Sequence, residues 1–391
     1  MEKLKIKIID IIAILLFHIS CVKFYYVPFM NNICILLEII IIIYLMSKIN
    51  IIINKKYKKV NILFLLFVLV SILSTLISKS NIQESIWFFV KISSMFFFME
   101  IVNEKQEWEN ILRNYSFLYL LYAIISILVD AKFHYLYGEY DLNYLIGNKF
   151  AISYAAFMAL IFFDTYRENY LEKKISAKLY GIIVFLISVF ISYTTDCNTG
   201  ILCCVLYFVL KKINIKRFKS SKNVMCVAII ESIALIWFRD FILQQKITAF
   251  IVENIFNRSL DLSGRVRIYE NILNIIFEHP WIGHGYGNSY NILYNRIMAP
   301  NTQNALLEWW FNSGIFGLSF LLATIASVFN NLKDENTIIL KSFIVGIYVF
   351  LILGSIEITI GSAFFVLLAC INFGSMKING VKKDRINDRK R

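Results

Sequence analysis

Long apolar runs recur along the chain, and they constrain its fold more than any other feature. Most of them approach the length that a helix needs to cross a bilayer, which is about 20 residues. With 58% hydrophobic and 17% charged residues, and a mean hydropathy of +0.64, the surface is too apolar for water to solvate. In lipid a helix satisfies all its own backbone hydrogen bonds, so the sequence predicts an all-α, polytopic membrane protein.

The apolar runs predict about twelve transmembrane helices. We place them near residues 8–22, 32–47, 60–78, 85–102, 115–130, 149–165, 177–194, 197–210, 224–238, 305–329, 338–355 and 358–375. Only a short polar patch, Thr194 to Thr199, separates the seventh span from the eighth. Those two spans are therefore interpreted either as two helices or as one broken element.

The distribution of Lys and Arg predicts the orientation, because basic residues concentrate in cytoplasmic loops. With the N-terminus inside, 29 of the 40 Lys and Arg residues fall in inner segments and ten in outer segments, while Lys91 lies within a span. This asymmetry predicts that both termini are cytoplasmic in a multi-pass protein of the cell membrane. It also accounts for the net charge of +13 without a nucleic-acid partner.

This topology predicts a single integral membrane domain over residues 1–391. Helices 1–9 occupy residues 1–238, one large extracytoplasmic loop occupies residues 239–302, helices 10–12 occupy residues 303–376, and a basic cytoplasmic tail occupies residues 377–391. A loop as long as 239–302 is usually functional.

Two short helices and a turn are predicted within the outer loop. Residues 240–257 suit an amphipathic helix on the membrane surface. Ser263 can cap a second helix, which Pro280 ends. Its apolar stripe is predicted to consist of Val266, Tyr269, Leu273 and Ile276. The turn that follows contains Gly283, Gly285 and Gly287.

The start of the second helix and the glycine turn together suit the binding of an anion. Arg265 and Arg267 lie in the first turn of that helix. A planar guanidinium offers a fork of donors to phosphate oxygens, and backbone N–H groups of a glycine turn can add more. The loop is therefore a candidate site for an anionic, lipid-linked diphosphate. The alternative is that both arginines are ordinary exposed cations.

Several other classes of site find no support in the sequence. There is no CxxC pair and no His/Cys spacing for zinc. The outer segments hold no acidic cluster with metal-ligand spacing, so we expect a metal-independent reaction without a cofactor. Charged residues also lie in or near apolar runs, where they are functional candidates by default. For Asp10, Glu38, Glu231 and Glu357, packing or interface roles are favoured, whereas Lys91 is the hardest to explain in that way.

The ordered motifs of the loop resemble the O-antigen polymerase/ligase family, including Wzy-type polymerases. They are Ser263-Gly264-Arg265, then Pro280, Gly283 and Gly285, then Asn304 with Leu307, and finally Gly314 and Gly317. Two weaker similarities lie at Gly147–Phe150, which brings Lys149 to the outer face, and at Thr195–Gly200. The family usually has His-Asn where this chain has Gln303-Asn304, and it often has a Ser-Arg-Gly-like turn where this chain has Cys197-Asn198-Thr199-Gly200.

The resemblance implies a polysaccharide polymerase for O-antigen or capsule. Such an enzyme transfers glycan from undecaprenyl diphosphate to the acceptor sugar of another lipid-linked repeat unit, on the outer face of the membrane. The implied catalytic residues are Arg265, His284 (as a substitute base), Gln303 and Asn304. The implied substrate-binding residues are Arg258, Arg267, Lys149, Asn148, Gly283, Gly285 and Tyr286. A flippase and a chain-length regulator are possible partners beside the lipid bilayer.

Two other functions stay open on the sequence alone. A ligase of the same family would move finished glycan to a different acceptor. A flippase or transporter is less favoured, because transporters usually show repeat symmetry and broken helices at the midplane. This chain shows no evident repeat and concentrates its polar features in one outer loop.

Overall fold

The computed structural model describes residues 7–21, 29–52, 58–133, 143–171, 175–237, 265–332 and 340–374. Within them the chain forms the helices α1 (Ile8–Cys21), α2 (Met30–Ser47), α3 (Ile49–Ile52), α4 (Lys58–Ile77), α5 (Ile82–Lys105), α6 (Trp108–Phe133), α7 (Lys149–Tyr170), α8 (Ile175–Thr194), α9 (Asn198–Lys212), α10 (Ser221–Trp237), α11 (Arg265–Ile276), α12 (Ser289–Ile297), α13 (Ala305–Asn330), α14 (Lys341–Leu353) and α15 (Ser362–Gly374). A helix lies at each of the twelve predicted spans.

The protein is an all-α, multi-pass membrane protein. In the described part of the chain, six helices are long and apolar enough to cross a membrane, namely α4, α5, α6, α7, α8 and α13. Four shorter apolar helices belong to α1, α2, α14 and α15. The count of twelve membrane crossings therefore stays a prediction, since helix position alone does not establish a crossing.

Exposed apolar side chains show which helix faces suit lipid. On α8, Leu179, Ile182, Leu186 and Phe190 are exposed. They recur every three or four residues and so lie on one side of the helix. Water would not solvate this stripe, whereas hydrocarbon would, which agrees with the apolar sequence of α8.

Residues 177–210, for which the sequence allows either two helices or one broken element, form two helices. α8 ends at Thr194, and α9 begins at Asn198 after a turn in which Asp196 has φ 50°. The backbone N–H of Cys197 donates to the carbonyl of Ser192 at 2.9 Å and closes the turn. The interpretation as one broken element is thus replaced by two helices that pack against each other.

The only β structure among the described residues is a two-residue antiparallel ladder before α7. It pairs β1 (Asn143–Tyr144) with β2 (Gly147–Asn148). The side chain of Asn148 then caps α7, its Oδ1 accepting from the backbone N–H of Ala151 at 3.1 Å. The ladder and cap together fix where α7 begins, and hence where Lys149 lies.

The buried face of α11 differs from the predicted apolar stripe. The buried face of α11 consists of Ile268, Tyr269, Ile272, Ile275 and Ile276. Val266 and Leu273 of the predicted stripe are half-buried, because the face of α11 is set by the apolar cluster that it forms with Leu293, Leu307 and Phe311.

The sequence does not predict helix α12. This short helix contributes the buried Leu293. The predicted helix 240–257, its neighbours Arg258 and Ser263, and the tail 377–391 lie outside the described residues. The division of the chain into the four predicted segments also stays a prediction.

Helix α13 organises the loop through a kink. Gly314 has φ 66° and ψ −175°, a conformation that is open essentially to glycine alone. The glycine turn fits into this kink, where the N–H of Ile315 donates to the carbonyl of Pro280 at 2.9 Å. The kink and the turn thereby hold the loop against the helix bundle.

We expect Gly314→Ala to destabilise the protein by about 2–3 kcal/mol or more, the cost of a strained backbone with an added overlap. A Cβ at Gly314 would lie 2.2 Å from the carbonyl oxygen of Trp281. Thermal unfolding of the purified protein in detergent measures the effect. Gly361→Ala is the matched control, since no atom of the described residues lies within 4 Å of a Cβ there. Equal unfolding temperatures for the two variants would contradict this account of the kink.

Candidate functional site

Arg265 lies at the centre of a polar cluster formed by three separate segments. Its Nε donates to Oε1 of Gln303 at 3.1 Å, and its Nη2 lies 3.4 Å from Oε2 of Glu357. The Arg265 side chain is 23% exposed and that of Glu357 is 7% exposed. The guanidinium is thus held in place and remains accessible from one side.

The geometry of Gln303 is fixed by its neighbours. Its φ of 52° is in the left-handed region, and both its backbone N–H and its Nε2 donate to Oδ1 of Asn301, at 2.9 and 2.8 Å. The hydroxyl of Tyr269 lies 2.9 Å from the carbonyl oxygens of both Gln303 and Ser355. Because Tyr269 follows Arg265 by one helical turn, one face of α11 reaches both segments.

Asn304 has a structural position beside this cluster. It is fully buried, and its Oδ1 accepts from the backbone N–H of Leu307 at 3.1 Å, which caps α13. Its Nδ2 donates to the carbonyl of Ser232 at 3.1 Å. Both ends of the amide are engaged in protein contacts, so Asn304 holds the segment that carries Gln303.

Glu357 is the residue of the cluster that the sequence analysis did not select. It lies in the segment between α14 and α15, which is joined to the start of α13 by a hydrogen bond from the N–H of Ala305 to the carbonyl of Gly354 at 2.7 Å. Burial raises the pKa of the Glu357 carboxyl, while the charges of Arg265 and Lys149 and the N–H of Ile358 oppose that rise. The sequence feature that could have identified Glu357 is an acidic residue at the predicted outer end of a predicted span.

Lys149 brings a second cation to the same end of the bundle. Its Nζ donates to the backbone carbonyl of Asp196 at 3.1 Å and lies 3.8 Å from the Asp196 carboxylate. It therefore reaches the turn at Thr195–Gly200, where the resemblance would have placed an arginine. Glu357 contacts Arg265 directly, whereas the charge of Lys149 acts on it only at a distance.

The hydrogen bonds of the glycine turn join it to neighbouring segments of the protein. The N–H groups of Gly283, His284 and Gly285 donate to the carbonyls of His279, Phe311 and Asn312, at 2.9, 2.7 and 3.0 Å. Gly283 and Gly285 are glycines because their φ values are 85° and 86°, and a Cβ would overlap neighbouring atoms. Their N–H groups are engaged by carbonyl oxygens of the protein, so binding of diphosphate by these two glycines stays a prediction that the hydrogen bonds of the turn do not support.

His284 lies apart from Arg265. Its Nε2 is 2.9 Å from the carbonyl oxygen of Ile275, and its ring stacks on Phe311 at 4.4 Å between centroids. Burial lowers the pKa of the ring. Ile275 is ten residues beyond Arg265 on α11, about 15 Å along the axis. The structure therefore does not bring His284 to the cluster as a substitute base.

Two further predicted residues also lie outside the cluster. Arg267 is exposed, and its Nη2 donates to the carbonyl of Met298 at 3.3 Å. The ring of Tyr286 stacks on Phe88 at 4.6 Å, and its backbone N–H donates to Oγ1 of Thr75 at 3.1 Å. Tyr286 thus anchors the glycine turn to the helix bundle. No group of His, Cys, Asp and Glu in the described residues has an arrangement that could hold a metal ion.

The chain is similar to a known protein family. The model of the O-antigen ligase family matches residues 144–322, so the resemblance to the O-antigen polymerase/ligase family is confirmed. The matched range contains Lys149, Arg265 and Gln303, whereas Glu357 follows it. No curated protein matches the chain.

Proposed function

From this O-antigen ligase domain on an all-α membrane scaffold, we propose that the protein is a Wzy-type polysaccharide polymerase. It transfers glycan from undecaprenyl diphosphate to the acceptor sugar of another lipid-linked repeat unit, on the outer face of the cytoplasmic membrane, with both termini inside. The observation that carries the proposal is the contact of the Arg265 guanidinium with both Gln303 and Glu357.

The chemistry requires stabilisation of the leaving group and removal of one proton. The bond between the anomeric carbon and the diphosphate oxygen breaks, and a bond from the acceptor hydroxyl oxygen to that carbon forms. Undecaprenyl diphosphate leaves with the electron pair, and Arg265 and Lys149 stabilise its negative charge. This use of charge needs no covalent intermediate with the protein.

Glu357 is the base in this proposal. Its carboxylate accepts the proton of the acceptor hydroxyl as the new bond forms. Glu357 thereby acts as the base in place of the histidine that the family usually has where this chain has Gln303. The burial that raises the Glu357 pKa makes it a better proton acceptor than an exposed carboxylate. Gln303 orients the guanidinium, and Asn304 acts as a positioning residue in the segment that carries Gln303.

Lys149→Met should lower kcat/KM about 10- to 100-fold, which corresponds to one charge-assisted hydrogen bond to a phosphate oxygen. Because the lysine holds the diphosphate in the ground state as well as in the transition state, most of the loss should appear in KM. Lys149→Arg should recover much of the activity. Steady-state kinetics with purified lipid-linked repeat units measure these changes.

The control for Lys149 is Lys79→Met, which removes an exposed lysine from the outer end of α4 and should leave kcat/KM unchanged. Equal effects of the Lys149 and Lys79 substitutions would show that any outer lysine acts only through long-range charge.

A ligase is the second candidate, because the matching family is described as O-antigen ligase. A reconstituted protein separates the candidates. With lipid-linked repeat units alone, a polymerase makes long glycan on undecaprenyl diphosphate. A ligase makes none until a different acceptor is added, and a transporter only moves the units across the membrane. Absence of any glycan transfer by folded protein with both acceptor types would refute the proposed enzyme class. A flippase and a chain-length regulator remain proposed partners in the cell.

A further inference from the structure

A cavity of about 220 Å³ lies beside the candidate site, between α1, α5, α6, α7 and the start of α15. Its walls are mostly apolar and include Phe17, Ile92, Met95 and Val366. Ile358 and Thr359 line it as well, and they follow Glu357 directly in the chain. The cavity therefore continues from the segment that carries the carboxylate of the site.

Tyr154 connects the cavity to the charged cluster. It lines the cavity together with Ile358 and Thr359, the two residues that follow Glu357 in the chain. Its hydroxyl is buried and has no hydrogen-bond partner among the described residues, and the same holds for the hydroxyl of Ser20 in another wall. A buried hydroxyl without a partner is costly, so a ligand with a polar group near Tyr154 would satisfy it.

The cavity extends along α7 away from the cluster. Ala151 and Met158 both line it, and seven residues of helix separate them, which is about 10 Å. The start of α7 is at the end of the bundle that carries Lys149, so the cavity runs from that end toward the middle of the helix. Most of the wall is apolar, although Ser20, Lys91 and Tyr154 add polar groups to it. A hydrocarbon chain therefore matches most of this surface, whereas a sugar would leave many of its hydroxyl groups without partners.

Gly361 leaves space in the wall of this cavity. No atom of the described residues lies within 4 Å of the position that its Cβ would take. Most glycines of this chain differ, since a Cβ at Gly200, Gly346 or Gly354 would lie within 3.0 Å of a neighbouring atom. The absence of a side chain at Gly361 is thus not required by local packing, and it keeps the cavity open.

We propose that this cavity binds the isoprenoid chain of the lipid carrier, with the units nearest the diphosphate seated between Tyr154 and Gly361. The inference rests on the proposed function and adds a site for the chain to the site for the diphosphate. The chain enters the apolar cavity, the diphosphate stays with Arg265 and Lys149, and the hydroxyl of Tyr154 donates to a phosphate oxygen at the boundary. Chain burial then sets the depth at which the anomeric carbon meets Glu357.

The test fills the cavity in the full-length purified protein and measures the binding of two probes. Gly361→Leu should weaken binding of undecaprenyl diphosphate at least tenfold, and the smaller Gly361→Val should weaken it less. Binding of inorganic diphosphate, which has no chain, should be unchanged in both variants. Gly181→Leu on α8, where a Cβ meets only the flexible end of Arg167 at 3.4 Å, should bind both probes as the wild type does.

Three outcomes would overturn this inference. Unchanged binding of undecaprenyl diphosphate by folded Gly361→Leu would show that the chain lies elsewhere. Equal weakening of both probes would show that the substitution disturbs the diphosphate site. Displacement of undecaprenyl diphosphate by an equal concentration of phosphatidylglycerol would show a general acyl-chain site. Failure of the proposed function looks different, because the wild type would bind the carrier in the cavity and transfer no glycan.

Discussion

Arg265→Ala should lower the rate of glycan transfer about 10³-fold, the loss that follows removal of a cation or donor aimed at developing charge. The loss should appear in kcat, because the diphosphate gains charge mainly as the bond to the anomeric carbon breaks. Arg265→Lys should recover only part of the rate, since an ammonium lacks the planar fork that contacts Gln303 and Glu357 together. Single-turnover kinetics with purified lipid-linked donor measure the effect.

A loss of folded protein could imitate a loss of catalysis in this variant. When Arg265 alone is removed, the buried Glu357 carboxylate loses its partner. This can lower the free energy of unfolding by about 3–5 kcal/mol unless the carboxyl takes up a proton. The double variant Arg265→Ala/Glu357→Gln removes that charge. It should recover the thermal stability of the protein and stay inactive.

The matched control for charge is Arg296→Ala. Arg296 lies on α12, is about half exposed and pairs at 2.5 Å with Glu278, which follows α11. This variant should keep the wild-type rate. If Arg265→Ala at normal protein level transferred glycan as fast as Arg296→Ala, the assignment of Arg265 to the leaving group would be wrong.

Glu357→Gln should lower kcat about 10²- to 10⁴-fold, the usual contribution of a positioned base. The substitution keeps the shape of the side chain and an acceptor for the N–H of Ile358, which donates to Oε1 of Glu357 at 3.3 Å. Protein level should therefore be near normal. A structural role alone would predict a much smaller change in kcat.

The pH profile gives a second test of Glu357. Only the carboxylate form accepts a proton, so the wild-type rate should fall as the pH falls through the Glu357 pKa. Burial raises that pKa above the ordinary glutamate value of 4.5, so the decline should begin at a higher pH than for an exposed glutamate. In Glu357→Gln this acidic limb should disappear. An unchanged acidic limb in the variant would assign the titration to another group.

The helix positions could be predicted from the sequence because they depend on a one-dimensional property. An apolar run in lipid must form a helix, so the twelve runs predicted twelve helix positions, and the structure has a helix at each. The division of residues 177–210 was less certain, since the turn at Thr195–Cys197 depends on a left-handed Asp196 and on hydrogen bonds that no hydropathy pattern contains.

The candidate site could be predicted only in part. The ordered motif predicts Arg265, and the short similarity at Gly147–Phe150 predicts Lys149; the structure joins Arg265 to Gln303 and Glu357 and joins Lys149 to Asp196. The motif favours His284 because it is the histidine of the glycine turn, but its ring is held by Ile275 and Phe311 at the far end of α11. The sequence does not distinguish Glu357 from the other acidic residues near apolar runs, because no motif surrounds it.

The sequence by itself determined that this protein lies in lipid, where its helices lie and which family it resembles, because composition, periodicity and motif order are properties of the chain. Only the tertiary structure decided which charges meet. Glu357 is 92 residues from Arg265 in the chain, and it reaches the arginine because Gly354 bonds to the start of α13 and Tyr269 spans Gln303 and Ser355. Such contacts arise from the packing of distant helices.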